Sequence, residues 1–145
     1  MFAVIFAIIA GAAMSFQGVF NTRLSNHIGL YESNVLVQGI AFLCSVIVLI
    51  FFGTGNLGAV GEASKLDLLG GALGVVITVT VMLAMKGLGA TIGVSIILIA
   101  QLLTAALVDA FGLLNEEKIP FTWQKVLGLV LMVGGVMMLK YKLPT

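Results

Sequence analysis

Ser33–Phe52 reads SNVLVQGIAFLCSVIVLIFF, an unbroken run without one charged side chain. A helix needs roughly 20 predominantly apolar residues to cross the hydrocarbon core of a bilayer, and this run has that length. Working outward from it, four more stretches of the same kind appear: Phe2–Asn21, Leu66–Lys86, Thr91–Leu113 and Thr122–Lys140. Together the five take up 103 of the 145 residues. Hydrophobic residues make up 61% of the chain and charged residues only 9%, where a soluble domain carries about a quarter charged. Mean hydropathy is +1.22, so lipid must solvate most of the surface. Without water in the bilayer core, each segment has to satisfy its backbone internally, which selects helices over isolated strands. The expected fold is an all-α membrane protein of five transmembrane helices, with residues 1–145 forming a single domain.

The bulk numbers also exclude. A net charge of +1 with no basic block argues against nucleic acid as a partner. The single cysteine, Cys44, lies inside the second span, so an intrachain disulfide is impossible. The longest connection, Gly53 to Lys65, is short and glycine-rich, and leaves no room for a soluble catalytic module. Gly53-Thr54-Gly55-Asn56-Leu57-Gly58 lacks the following Gly-Lys-Ser/Thr of a phosphate loop and reads as a flexible connection. His27 stands alone in a polar loop, without a second His or a Cys nearby, so no metal site is expected. Glu116-Glu117-Lys118 reads as a solvated turn. No Ser/His/Asp set and no carboxylate pair is visible, so neither enzymatic chemistry nor a cofactor is expected. Phe2–Ala13 lacks a basic leader, and its apolar run continues past Ala10-Gly11-Ala12, so the first span is expected to be retained.

Trp123 and Tyr141 bracket the last span, about 27 Å apart along a helix, close to the thickness of the hydrocarbon core. Pro120 before it and Pro144 after it suit its two ends. With five spans, Lys65, Lys118 and Lys125 share one side (A), and Arg23, Lys86, Lys140 and Lys142 share the other (B). Lys/Arg asymmetry in short loops sets orientation, and a difference of one scarcely biases it. Two readings stay open: a fixed orientation with side B cytoplasmic, and dual topology with opposed copies paired as an antiparallel homodimer. The second would supply the inverted repeat on which many transporters are built.

Polar side chains within spans are costly in lipid and face protein or water. Met14, Gln17 and Asn21 share one face of the first helix, beside a stripe of small residues, Gly11, Ser15, Gly18 and Thr22. The second helix aligns Asn34, Gln38, Ala41 and Ser45, and the third aligns Gly70, Gly74 and Thr78. Gln101 sits near the middle of the fourth. Singly, each amide could be interhelical glue. Together, Gln17, Gln38 and Gln101 are expected to converge on a cavity that suits a neutral or zwitterionic solute, since amides donate and accept without carrying charge. Asp109 lies near the C-terminal end of the fourth helix, where the macrodipole disfavours an anion, so it should be paired, hydrated or protonated.

Two stretches carry a resemblance. Gly11-Ala-Ala-Met-Ser-Phe-Gln-Gly-Val-Phe-Asn21 and Ala100-Gln-Leu-Leu-Thr-Ala-Ala-Leu-Val-Asp-Ala-Phe-Gly112 are similar to signatures of the YdcZ-like small membrane proteins, a branch of the drug/metabolite transporter superfamily. Ala100 and Ala110 stand where many relatives carry Gly and His. The resemblance covers essentially the whole chain. It implies half of a ten-helix inverted-repeat transporter in a bacterial inner membrane, and is consistent with a dimer of opposed copies. Gly128 and Gly135 also resemble the dimerising glycine heptad of small multidrug resistance transporters. Those carry a central Glu in the first helix that this chain lacks, so the likeness does not extend to proton-driven export of cationic drugs.

The expectation is a small dimeric secondary transporter moving a small polar or amphipathic metabolite by alternating access. Gln17, Asn21, Gln38 and Gln101 would contact substrate. Asp109 and Arg23 would form a charged gate or structural pair, and Gly128 and Gly135 the dimer interface. The rivals are a passive dual-topology channel and a structural membrane subunit with no pathway.

Overall fold

In the computed structural model, residues 2–112, 118–120 and 122–141 are described. The end of the fourth expected span at Leu113, the Glu116-Glu117 part of the expected turn, and Lys142 and Pro144 lie outside them. Among the described residues there are five α-helices: α1 (Phe2–Ile28), α2 (Leu30–Phe52), α3 (Leu69–Leu88), α4 (Ala90–Phe111) and α5 (Trp123–Lys140). All five are long and apolar enough to cross a bilayer, and no strand occurs among the described residues. The five-helix expectation holds.

The helix ends differ from the span ends in an instructive way. The polar tail after Asn21 remains helical as far as Ile28, so His27 occupies the last turn of α1 and not a loop. The reading of His27 as a loop residue is corrected, because the edge of an apolar stretch marks where lipid ends and not where hydrogen bonding ends. Hydroxyls in this tail bond to their own helix: Thr22 Oγ1 donates to the Gly18 carbonyl at 2.7 Å and Ser25 Oγ to that of Thr22 at 2.8 Å. Such local bonds satisfy the side chain without leaving the helix.

Single glycines make two of the corners. Gly29, between α1 and α2, has φ 102° and ψ 160°, and Gly89, between α3 and α4, has φ 79° and ψ 163°. This region of backbone space is essentially open to glycine alone. The Gly53–Gly58 stretch, expected to be a flexible connection, runs into a short 3-10 helix, Leu57–Glu62, entered by Asn56, whose Oδ1 accepts from the Gly58 amide at 2.9 Å. After it, turns carry the chain to α3, which begins three residues later than the expected span.

Two compact units result, residues 1–86 and 87–145. In the first, α1 packs against α2, and α3 joins them. Its buried residues, among those described, are Gly18, Asn21, Ser25, Ser33, Asn34, Met82 and Met85. In the second, α4 packs against α5, with Gly93 and Ala106 buried. Nearly every large aliphatic and aromatic side chain faces outward, from Phe6 and Phe16 to Leu131 and Met138. That pattern inverts a soluble protein and suits lipid as solvent.

Candidate functional site

The core of the first unit is polar. Ser33 is fully buried, and Asn21, Ser25 and Asn34 are 4–7% exposed. All four lie near the Gly29 corner: Ser25 and Ser33 are each four residues from it, Asn34 five and Asn21 eight. At 1.5 Å per residue this places them within about 12 Å of that end of the helix pair. The small stripe of α1 makes this possible. Ser15, Gly18 and Thr22 turn inward, and at Gly18 an added Cβ would press on the Met85 thioether and on Val81 Cγ1, so these two side chains of α3 rest on the α1 backbone. Lys86 Nζ donates to the Ser25 carbonyl at 3.4 Å and joins the same end of α3 to α1.

Of the residues expected to touch substrate, Asn21 is buried here. Gln38 is half-buried, with its Nε2 3.6 Å from where a Cβ on Gly74 would stand, so α2 and α3 meet at that level. Gln17, like Met14 on its face, is exposed on this chain, and Gln101 in the second unit is exposed as well. Ser33 and Lys86 were not singled out from the sequence as site residues. The signal available for the serines was their placement four residues either side of Gly29. Their hydroxyls are turned to their own helices, with Ser33 Oγ donating to the Gly29 carbonyl at 2.6 Å.

In the second unit, Asp109 Oδ2 accepts from Lys125 Nζ at 3.3 Å, with both side chains about one-third exposed. Of the three states expected for Asp109, it is paired. Each partner alone sits at the wrong end of its helix, the anion at the C-terminus of α4 and the cation in the first turn of α5. Brought together, they offset one another. Gly112, in the left-handed conformation (φ 59°), ends α4 by donating to the Asp109 and Val108 carbonyls, and Ile119 N–H donates to the Asp109 carbonyl at 2.9 Å. Arg23 is exposed and makes no ion pair among the described residues. Gly128 and Gly135 line shallow apolar grooves between α4 and α5, and a Cβ on either would meet nothing within 4 Å. No group of His, Cys, Asp and Glu that could hold a metal ion occurs among the described residues.

A family model described as "Putative inner membrane exporter, YdcZ" matches residues 2–138. No curated protein and no solved structure matches the chain.

Proposed function

The chain belongs to the YdcZ family of the drug/metabolite transporter superfamily, and from that membership we propose that it is a secondary transporter that moves a small polar or amphipathic metabolite by alternating access. It is a multi-pass inner-membrane transporter protein. The family description points to outward movement. The observation that carries the proposal is the polar core beside Gly29: in a chain whose surface is lipid-facing, four buried polar residues are an expensive choice. Core packing alone would be served by Leu or Ala. A polar interior that opens in turn to each side would be served by what is present.

In this reading Gln17, Asn21, Gln38 and Gln101 contact the solute. Residues 1–145 act as one domain and pair with a second, antiparallel copy, which would cover the amides left exposed on one chain. Gly128 and Gly135 form the contact, since the open space over both admits a neighbouring helix backbone. Asp109 and Arg23 serve as charged gate groups, with Lys125 holding Asp109 in one state of the cycle.

The test is counterflow in proteoliposomes, using metabolites selected by thermal shift of the purified protein. Ligands that bind the folded state raise its stability by mass action. A carrier gives saturable uptake that is stimulated by the same solute inside the vesicle. Linear, unsaturable flux would establish the channel reading, and binding without flux would remove transport of the selected solutes.

A further inference from the structure

The polar core beside Gly29 contains one incomplete hydrogen bond. Asn34 Oδ1 is sealed from solvent and meets no donor among the described residues. Every other buried side-chain oxygen or nitrogen described has a partner or touches solvent. A buried carbonyl left without a donor costs stability, so a chain that keeps one has a use for it.

The surroundings narrow that use. The hydroxyl hydrogens of Ser25 and Ser33 are spent on the Thr22 and Gly29 carbonyls, so both oxygens have only lone pairs left. Their neighbourhood therefore accepts more readily than it donates. The Lys86 ammonium, on the Ser25 carbonyl at this same end, disfavours a second cation. What fits is an uncharged N–H donor. A primary amide fits best, because it can give an N–H to Asn34 Oδ1 while its own carbonyl accepts from Asn34 Nδ2, a two-point pair of like groups. Met82 (0% exposed) and Met85 (6%) fill the α3 side of this end. Methionine is unbranched and adaptable, and Met85 already rests against the bare backbone of Gly18. Their flexible chains are what would have to give way for a solute to enter.

We propose that Asn34 is a solute-binding residue, and that the buried end of α1–α3 takes the amide N–H of a small neutral solute behind the Met82–Met85 closure. This deepens the transporter reading and rests on it, adding a subsite and a substrate class.

The test uses the full chain in detergent, with acetamide as probe and N,N-dimethylacetamide, which keeps the carbonyl but has no N–H, as control. The expected result is a saturable rise in Tm with acetamide and none with the control. Asn34→Leu and Asn34→Ala should abolish the rise, and Asn34→Leu should melt at or above the parent because it removes an unpaired buried carbonyl. Equal responses in parent and variants, or no response in the parent, overturn the proposal. A response to both amides also overturns it, because a probe carbonyl accepting from a donor such as Asn34 Nδ2 would then suffice without any N–H given to the sealed oxygen. If neither variant folds, Asn34 is a structural group and the proposal fails. None of these outcomes depends on flux. Counterflow without an Asn34-dependent shift leaves the transporter standing and removes the subsite, and the reverse result keeps a binding site in a protein that does not transport.

Discussion

Gly18→Val should loosen the first unit, and the geometry says by how much. An ideal Cβ at Gly18 meets the Met85 thioether, with Sδ at 3.0 Å, and Val81 Cγ1 at 3.2 Å. For alanine the obstacle is mainly the free end of a flexible methionine, which can turn away. Overpacking costs about 1–3 kcal/mol, and alanine should pay near the lower limit. Replacing glycine in a helix returns about 0.8–1.0 kcal/mol in propensity, so Gly18→Ala should be near neutral. Valine adds two γ-carbons on a stiff χ1 and drives them toward Val81, which is itself branched. Its propensity gain is smaller and its clash larger, for a net loss of about 2 kcal/mol, roughly a thirtyfold shift toward the unfolded state. Reversible unfolding in mixed micelles with increasing SDS, followed by far-UV circular dichroism, reads this directly. Met85→Ala should recover part of the loss, with a coupling of about 0.5–3 kcal/mol between the two sites. A Gly18→Val protein as stable as the parent, or one whose loss is additive with that of Met85→Ala, would refute the contact between α1 and α3.

Gln101→Leu should fold and dimerise as the parent does while losing the Tm rise produced by counterflow substrates; a weakened dimer, by up to about 1 kcal/mol, with ligand response intact would make Gln101 interhelical glue. Gly128→Leu and Gly135→Leu should each reduce cross-linked dimer in detergent, because close backbone approach excludes a branched side chain; full dimer from both would place the interface elsewhere. Lys125→Gln should lower stability by no more than about 1 kcal/mol, since the pair with Asp109 is about one-third exposed and solvent-screened; a loss several times larger in the same unfolding assay would mean the pair is desolvated in the assembled protein. C-terminal topology reporters should show mixed orientation in the parent. Two lysines added to the Gly53–Lys65 loop should force a single orientation with side A inside, and so should Lys140→Gln with Lys142→Gln. One-sided labelling of the parent, with full transport by a biased variant alone, would end the antiparallel model.

The spans were legible because lipid imposes a single rule on every residue of a crossing helix, and α2 obeys it from Val35 to Phe52 without a charge. The far end of α1 was not. Thr22 to Ile28 is polar enough to leave the bilayer core, yet its backbone bonds continue, and only the positive φ of Gly29 breaks them. Hydropathy carries no record of that angle. Within the site, Gln17 and Gly18 show the difficulty most clearly. The amide draws the eye, but the bare backbone next to it determines which face of α1 meets α3. Asn34 was visible as part of a stripe with Gln38. Its incomplete bonding was not, because that depends on which neighbours have spent their hydrogens. The Asp109–Lys125 pair was half legible: the charge had to be answered, and three lysines lay on its side of the membrane, but the chain alone did not choose among them.

Helix length carries one more consequence. α1 has 27 residues and α5 has 18, or about 40 Å against 27 Å of rise. A hydrocarbon slab of about 30 Å cannot match both. α1 can spare its surplus, since its polar last two turns are at home among headgroups. α5 has nothing to spare: its exposed end rings, Trp123 and Tyr141, already bracket about 27 Å, and in a thicker slab headgroups would have to be drawn inward to reach them. Lengthening the acyl chains of the surrounding lipid therefore strains α5 while barely touching α1. The helix that carries Gly128 and Gly135 is, of the five described, the one with the least length to spare in a thick bilayer.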